Sequence, residues 1–393
     1  MTSKLYLNKQ ADRRLKKGHL WIYSNEVDTR RSPLKAMQPG DVASVYSTGG
    51  QCLGSAMINP QTLICGRLFS LAEHAIPDEA FFVQRLEYAL ALRERCFTAP
   101  YYRLVYGDAD LLPGVVIDRY GDVFVVQLST AGMDRARDAL LAALNSLFSP
   151  VGIILRNNHS GRDLEDLPDE VETFGSIPEL LALVENDTRF EVPALTGQKT
   201  GWFYDHRPNR ALVRQLARDK RVLDVFSYIG GWGIQAATAG ASEVVCVDSS
   251  PAAMDGVGHN AEINGVIDRV SGMRGKAVEA MKELVAAGER FDMVILDPPA
   301  FIRKRKDQKA GEAAYRHINE LAIRLLQPGG ILVSASCSMP LTDDMLTAIV
   351  YGAVHKQGRQ ARLFHVGGQG MDHPVHPMIP ETRYIKAQFF RVD

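Results

Sequence analysis

Residues 221–248 read RVLDVFSYIGGWGIQAATAGASEVVCVD, and this stretch indicates the fold of the C-terminal half of the chain. Two β-branched runs, RVLDVF at 221–226 and EVVCVD at 243–248, enclose a segment that predicts a helix from about Gly231. The same alternation of strand and helix continues further along the chain, which favours a doubly wound parallel sheet. The further predicted strands lie near Val270 and at 291–297 and 331–338, and the further predicted helices lie from Pro251 and at 277–287, about 310–326 and about 341–355.

The final strands, RLFHV and YIKAQFFRV, have no room for a crossover helix between them. They therefore predict an antiparallel pair at one edge of the sheet. We expect residues 191–393 to form one α/β domain, with a Rossmann-like, mostly parallel sheet of seven strands.

The preceding residues predict two smaller domains. Residues 1–70 contain short β-like runs, with Gly49 and Gly50 at a hairpin, which predicts a small β-barrel. Residues 71–190 mix helices, at about 78–97 and 134–148, with a hairpin at Tyr120 and Gly121, which predicts a small α+β domain.

Charge and composition narrow the class of protein. The net charge of the 393 residues is −1, but residues 1–70 carry ten lysines and arginines against four acids, a local charge of +6. Such a module is a candidate for phosphate contact, with Arg13, Arg14, Lys16 and Lys17 as its densest group, although a basic cluster is also often only a solvated face. Five scattered cysteines favour neither a disulfide framework nor a zinc site. Without a membrane-spanning run or a signal peptide, a cytoplasmic location is expected.

Polar groups recur where the predicted parallel strands end, the edge at which α/β sheets bind ligands. Asp248 lies 24 residues after Asp224, at the end of the second strand, where a carboxylate can accept hydrogen bonds from ribose hydroxyls. Gly230 and Gly231 let the intervening backbone approach a ligand closely. Because the Gly-x-Gly-x-x-Gly fingerprint is missing, an adenosine ligand without a pyrophosphate, such as S-adenosylmethionine, fits better than a dinucleotide. Nearby carboxylates would also favour its sulfonium.

The stretch ILDPPAFIRKRK at 295–306 predicts a site for a nucleic-acid base. Pro298 and Pro299 fix the backbone after Asp297 and would hold its carboxylate as an acceptor for a base edge, although a proline pair can also simply stop a strand. Phe301 could stack on the base or pack. The cations that follow would contact phosphates, and they are Arg303, Lys304, Arg305 and Lys306.

Cys337 ends the fifth predicted strand within Ser336-Cys337-Ser338. Its polar neighbours suggest that the strand emerges there at the site, whereas Cys246 is expected to be an ordinary buried cysteine. A thiolate can attack carbon 6 of a pyrimidine and so make carbon 5 nucleophilic toward a methyl donor. Cys337 is therefore a candidate nucleophile.

Taken in order, these motifs resemble a known family nearly end to end. VLDVFSYIGGWG, VVCVDSS, ILDPPAF, SASCS and TGWFYDHRPNR resemble the class I methyltransferase domain of the bacterial large-subunit ribosomal RNA cytosine-5 methyltransferases of type I. RLVYGDADLLPGVVIDRYGDVFVVQL resembles the middle domain of that family, and KGHLWIYSNEV with PGDVASVYSTGGQCLGSAMINP resembles its N-terminal PUA module, an RNA-binding barrel.

The resemblance implies roles for individual residues. Asp297 would orient cytosine, Cys337 would be the nucleophile, and Pro298, Pro299 and Phe301 would line the base site. The methyl acceptor would be a cytosine of large-subunit ribosomal RNA, no membrane would be involved, and a homodimer is left open. S-adenosylmethionine would be held by Lys199, Thr200, Gly201, Asp205, Asp224, Phe226, Ser227, Tyr228, Gly230, Asp248, Ser249 and Asp297.

The chain departs from the family pattern at three positions. Lys276 stands where the family has an acid that contacts the adenine amino group, and a cation cannot accept that hydrogen bond. Trp232 replaces a more usual phenylalanine, which is expected to be a mild change. Ala300 occupies the place of a second cysteine that aids product release in other RNA cytosine-5 enzymes, so elimination would need a water or another base.

Two alternatives remain open from the sequence. A methyltransferase acting on the exocyclic amine of guanine or adenine also uses an acid or amide before two prolines, but its aromatic residue follows directly, where this chain has Ala300. An RNA-binding ribosome-assembly factor without catalysis would account for Lys276. A nicotinamide-dependent dehydrogenase fits poorly, since the glycine fingerprint fails.

Overall fold

The computed structural model describes residues 3–393, which divide into two compact units. The first unit comprises residues up to 181 together with 193–202 and 371–382, and the second comprises 182–192, 203–370 and 383–393. The predicted boundaries at residues 70 and 190 stay a prediction. Within residues 3–393, no helix combines the length and the apolar character that crossing a bilayer demands.

The first unit contains two five-stranded sheets. The N-terminal sheet has the order β1-β3-β4-β5-β2. Strands β1 and β3 pair in parallel, and the other neighbouring strands pair antiparallel. The hairpin predicted at Gly49 and Gly50 joins antiparallel strands, and Gly50 takes the positive φ that such a turn needs. The elements are β1 (Ser3–Tyr6), α1 (Asp12–Lys16), β2 (Trp21–Tyr23), β3 (Asp41–Tyr46), β4 (Cys52–Ile58) and β5 (Ile64–Ser70).

The second sheet of this unit has the order β10-β9-β8-β7-β6 and packs against helices on an apolar core that includes Phe82, Leu86 and Phe124. One helix was predicted at 134–148, but the structure has two, because Thr130 caps a short helix that ends at Arg135. The elements are α2 (Glu79–Cys96), β6 (Tyr101–Tyr106), β7 (Val115–Tyr120), β8 (Val123–Leu128), α3 (Ala131–Arg135), α4 (Arg137–Phe148), β9 (Gly152–Arg156) and β10 (Val171–Gly175).

A two-stranded hairpin, β11 (Leu180–Glu185) and β12 (Thr188–Pro193), precedes the large sheet. Glu185, whose side chain is fully buried, accepts hydrogen bonds from Arg210 and from Gln235. A buried carboxylate is tolerated only with such partners, and they fix this end of the hairpin within the second unit.

The second unit is built on a seven-stranded sheet of order β15-β14-β13-β16-β17-β19-β18. The first five strands of that order are parallel, and β19 pairs antiparallel with both β17 and β18, as predicted from the closing hairpin. The elements are α5 (Arg207–Leu216), β13 (Arg221–Val225), α6 (Gly233–Thr238), β14 (Glu243–Asp248), α7 (Pro251–Ile263), β15 (Val270–Arg274), α8 (Ala277–Ala286), β16 (Phe291–Leu296), α9 (Gln308–Leu325), β17 (Leu326–Ser336), α10 (Asp343–Lys356), β18 (Ala361–Gly367) and β19 (Lys386–Val392).

The strand order places the switch point of this sheet beside β13. The chain passes from β13 to β14 on one side and later returns to β16 on the other side, so the carboxyl ends of β13 and β16 border a crevice. The predicted Rossmann-like, mostly parallel α/β sheet is therefore confirmed. Asp297 and Cys337 are each the first residue after their strand rather than the last residue within it.

Leu223 lies at the centre of this sheet and is fully buried. We expect Leu223→Ala to lower the free energy of unfolding by about 2–5 kcal/mol, because it deletes buried methyl groups and leaves a cavity. Leu363→Ala on the edge strand β18, where the side chain is 38% exposed, is the matched control and should cost less than about 1 kcal/mol. Urea unfolding followed by fluorescence measures both, and equal losses would contradict the central position of Leu223.

Candidate active site

The loop after β13 combines backbone strain with close packing. Phe226, Tyr228 and Gly230 all have positive φ, of 66°, 49° and 86°. Aromatic residues rarely adopt this conformation, so tertiary contacts must hold them in it. At Gly230 a Cβ would lie 2.7 Å from a side-chain atom of Ile234, which makes glycine a requirement there. The loop thus has a fixed shape at the carboxyl edge of the sheet.

Asp248 anchors this loop from the neighbouring strand end. Its Oδ2 accepts a hydrogen bond from the backbone N–H of Tyr228 at 3.1 Å, and its Oδ1 accepts one from the N–H of Ser250 at 2.9 Å. The residue is half-buried and Ser249 beside it is exposed. A carboxylate has about four lone-pair sites, so two remain for ribose hydroxyls. These free acceptor positions fit the ribose of S-adenosylmethionine.

Asp224 supports the same loop from the interior. It is fully buried, and its Oδ2 accepts a hydrogen bond from the backbone N–H of Gly233 at 2.8 Å, at the start of α6. Burial, with smaller contributions from Asp297 and Asp248, raises the pKa of Asp224 to about 7. Ser227 is also buried, whereas Tyr228 is half-exposed.

Asp297 is held between two side chains that the sequence did not single out for this role. Its Oδ2 accepts a hydrogen bond from Nε1 of Trp232 at 3.0 Å, and its Oδ1 lies 3.4 Å from Nε2 of His206. Burial alone would raise the pKa of Asp297 and lower that of His206. Their mutual attraction outweighs burial, so the pKa of Asp297 is lowered and that of His206 is raised. Asp297 is therefore an anionic acceptor at neutral pH.

Trp232 thus changes the site more than a mild exchange with phenylalanine would. Its indole N–H donates directly to Asp297, and a phenylalanine ring has no such donor. Its ring also lies 5.1 Å from that of His206, so the two residues form one wall around the carboxylate.

The structure brings Asp297 and Cys337 to adjacent positions. Because β16 and β17 are parallel neighbours, the loops that follow them start side by side. Sγ of Cys337 lies 3.9 Å from the carbonyl oxygen of Pro298, and the backbone N–H of Ile302 donates to Oγ of Ser338 at 3.1 Å. Cys337 is half-exposed, whereas Cys246 is fully buried, as expected for an ordinary core cysteine.

Tyr315, on α9, organises the residues around the thiol. Its buried hydroxyl lies 2.8 Å from Oγ of Ser336 and 2.9 Å from Oγ of Ser338, the two neighbours of Cys337. Its ring lies 4.9 Å from that of Phe301. Phe301 therefore packs against Tyr315, and its contact with a base stays a prediction.

The basic residues differ in their surroundings. Arg303, Lys304, Arg305 and Lys306 are all exposed, next to the loop that carries Asp297. In the first unit, Arg14 forms an ion pair with Glu26 at 2.7 Å and Lys16 forms one with Asp12 at 2.6 Å. Arg13 and Lys17 are exposed and make no ion pair within residues 3–393. Lys276 is exposed at the start of α8.

The residues predicted to precede the first strand at the site fall in different units. Lys199, Thr200 and Gly201 belong to the first unit, where the hydroxyl of Tyr120 donates to the carbonyl oxygen of Thr200 at 3.1 Å. Asp205 belongs to the second unit, is buried, and accepts a hydrogen bond from the hydroxyl of Tyr384 at 2.5 Å. Their contact with a cofactor stays a prediction. No cluster of metal-binding side chains occurs within residues 3–393.

Asp224 gives the fold a specific pH dependence. Its folded pKa of about 7 exceeds the unfolded value of 3.8, so the folded state binds the extra proton and its stability should fall as the pH rises from about 4 to 7. Asp224→Asn keeps an acceptor for Gly233 without the charge. We expect it to match the unmodified protein closely near pH 4 and to exceed its free energy of unfolding at pH 8 by on the order of 2–4 kcal/mol. Urea unfolding at both pH values tests this. Asp268→Asn, at an exposed position, is the control. A change in the free energy of unfolding by Asp224→Asn that does not depend on pH would contradict the raised pKa of Asp224.

Comparison with known proteins places the chain in a family. The family model described as a PUA-like domain matches residues 5–71, and the one described as an S-adenosylmethionine-dependent methyltransferase matches residues 162–391. Two solved structures, one described as a putative methyltransferase complexed with SAH and one as a putative S-adenosylmethionine-dependent methyltransferase from Streptococcus mutans, match with TM-scores of 0.84 and 0.83 at 21% identity. Each match covers 99% of this chain and 100% of the other, which confirms the fold.

Relatives of known name extend along the whole chain. The protein named ribosomal RNA large subunit methyltransferase I from Tolumonas auensis is 34% identical over 398 residues, and that from Erwinia tasmaniensis is 35% identical over 401 residues. Both alignments cover 100% of each chain. The cofactor is S-adenosylmethionine, as the sequence predicted. The chain, whose N-terminal residues match a PUA-like domain, belongs to the S-adenosylmethionine-dependent methyltransferases and to the family of these relatives named ribosomal RNA large subunit methyltransferase I.

Proposed function

We propose that this protein methylates carbon 5 of a cytosine in large-subunit ribosomal RNA through a covalent adduct with Cys337. The observation that carries the proposal is the position of the Cys337 thiol, half-exposed and 3.9 Å from the carbonyl oxygen of Pro298, directly beside the loop of Asp297. The names of the full-length relatives support ribosomal RNA as the substrate.

The residues of the chain divide the chemistry between them. Asp297 accepts a hydrogen bond from the exocyclic amine of cytosine and fixes the base edge. The Cys337 thiolate donates an electron pair to carbon 6, which makes carbon 5 nucleophilic. Asp248 and the loop of Tyr228 and Gly230 would hold S-adenosylmethionine, whose sulfonium would give its methyl group to carbon 5 and leave as S-adenosylhomocysteine. A water or another base then accepts the carbon 5 proton, because the Ala300 side chain has no basic group, and the carbon 6–sulfur bond breaks to release the Cys337 thiolate.

Exocyclic-amine methylation is the second candidate, since Asp297-Pro298-Pro299 also suits a base amine. That reaction needs no thiol at the strand end. Its typical aromatic stacking residue would follow Pro299, whereas Phe301 packs against Tyr315 one position later. These contacts favour the cytosine-5 reaction.

Substitution of the thiol separates the two reactions. We expect Cys337→Ala to lower methylation of large-subunit RNA by about 10³-fold or more, because the covalent route is lost. Cys52→Ala, at another half-exposed cysteine, should retain activity. Transfer of a labelled methyl group, followed by nucleoside mass analysis, identifies the product. Undiminished methylation by Cys337→Ala, with the label on an exocyclic amine, would overturn the proposal.

The exposed cations of the first unit give a second test. Arg13→Gln combined with Lys17→Gln should weaken RNA binding and flatten its dependence on salt by about 1.4 logarithmic units per unit of log salt, if each contacts one phosphate. Glutamine at Lys356, a surface lysine paired with Glu320, is the control. Binding titrations at several salt concentrations measure the slope, and a slope unchanged from the unmodified protein would remove these two residues from the RNA contact.

A further inference from the structure

Lys386 is a buried lysine that neither the family motifs nor the proposed mechanism uses. It is 5% exposed and begins β19, the strand that pairs antiparallel with β17. In that register Lys386 lies opposite Ser336, the residue before Cys337. Directly opposed residues in an antiparallel pair have Cα atoms about 4.5–5.5 Å apart. The lysine is therefore fixed across from the strand end that carries the thiol.

The ammonium of Lys386 has little hydrogen-bonding support for its charge. Within residues 3–393, Nζ makes one hydrogen bond, to the carbonyl oxygen of Tyr384 at 3.0 Å, although an ammonium has three donors. A buried charge with so few partners needs a nearby anion. The charged and titratable groups that face it are Asp343 at the start of α10, Arg383, and Cys337.

The negative charge of Asp343 is shared between Lys386 and a second cation. Its Oδ2 accepts a hydrogen bond from the guanidinium of Arg383 at 3.1 Å, so a second cation already compensates it. The hydroxyl of Tyr315 is directed to the hydroxyls of Ser336 and Ser338. Of these three groups around Lys386, Cys337 is the one that gains a negative charge when it loses its proton.

We propose that Lys386 is a positioning residue that stabilises the thiolate of Cys337 through its positive charge. The proton of the thiol leaves to solvent, and the electron pair that stays on sulfur is the pair that the proposed function delivers to carbon 6. Burial lowers the pKa of Lys386, and interaction with Asp343 and then Cys337 opposes that effect. Since electrostatic coupling is reciprocal, the same interaction favours the ionised sulfur. This inference rests on the nucleophilic role of Cys337.

Alkylation of Cys337 by iodoacetamide tests the inference without RNA or cofactor. The rate at Cys337 is followed across pH by peptide mass analysis, with Cys52 in the same sample as the internal reference. Lys386→Met should raise the pH midpoint for Cys337 by about one unit, because only the thiolate reacts. Lys386→Arg keeps the positive charge and should bring the midpoint most of the way back to that of the unmodified protein. Lys356→Met, at a surface lysine, is the matched control and should leave the midpoint unchanged.

The possible outcomes separate the inference from the proposed function. An unchanged midpoint in Lys386→Met would show that the ammonium does not stabilise the Cys337 thiolate and serves only as a partner of Asp343. This result would overturn the inference, whatever the activity of Cys337→Ala. Faster alkylation at every pH without a midpoint shift would show that Lys386 only packs the strand end, and would also overturn it. A shifted midpoint together with full activity of Cys337→Ala would confirm the electrostatic coupling and reject the covalent mechanism.

Discussion

The candidate site depends on the Asp297 carboxylate, which burial alone would favour in its neutral form. Asp297 lies where burial opposes ionisation, yet Trp232 donates to one of its oxygens and His206 lies 3.4 Å from the other. Removing one partner of such a buried arrangement leaves an uncompensated charge, so α6 and the segment before α5 are tied to the end of β16. These two contacts of Asp297 fix the point from which the loop to Ile302 begins.

A second set of contacts connects that loop to the neighbouring strand end. Ser338 accepts from the backbone of Ile302, and Tyr315 lies between Ser336 and Ser338. The thiol of Cys337 therefore belongs to a hydroxyl-lined turn whose backbone is fixed on both sides. These contacts join two strand ends that are 40 residues apart in sequence, as the proposed function requires for a base held between an acceptor and a nucleophile.

The sequence predicted what depends on periodicity and on strand ends. Alternating runs located β13 to β19, and the rule that parallel strands end at one edge brought Asp248, Asp297 and Cys337 together. Partners across the fold were not predictable in this way. Nothing in the spacing of His206, Trp232 or Lys386 shows that they pack beside a strand end, because those contacts arise only when α5, α6 and β19 dock. Trp232 carried a local signal, as a departure from the family pattern that adds an indole N–H donor.

The insertion of β19 between β17 and β18 has a consequence for biosynthesis. Residues 386–392 fill the open hydrogen-bonding edge of β17 only after about 50 further residues have been translated. During that interval the nascent chain presents a strand with one open edge and Cys337 just beyond its end, a state prone to misassociation and to oxidation. Vectorial synthesis thus makes completion of the sheet a late event, and the thiol acquires its finished environment only with that final step.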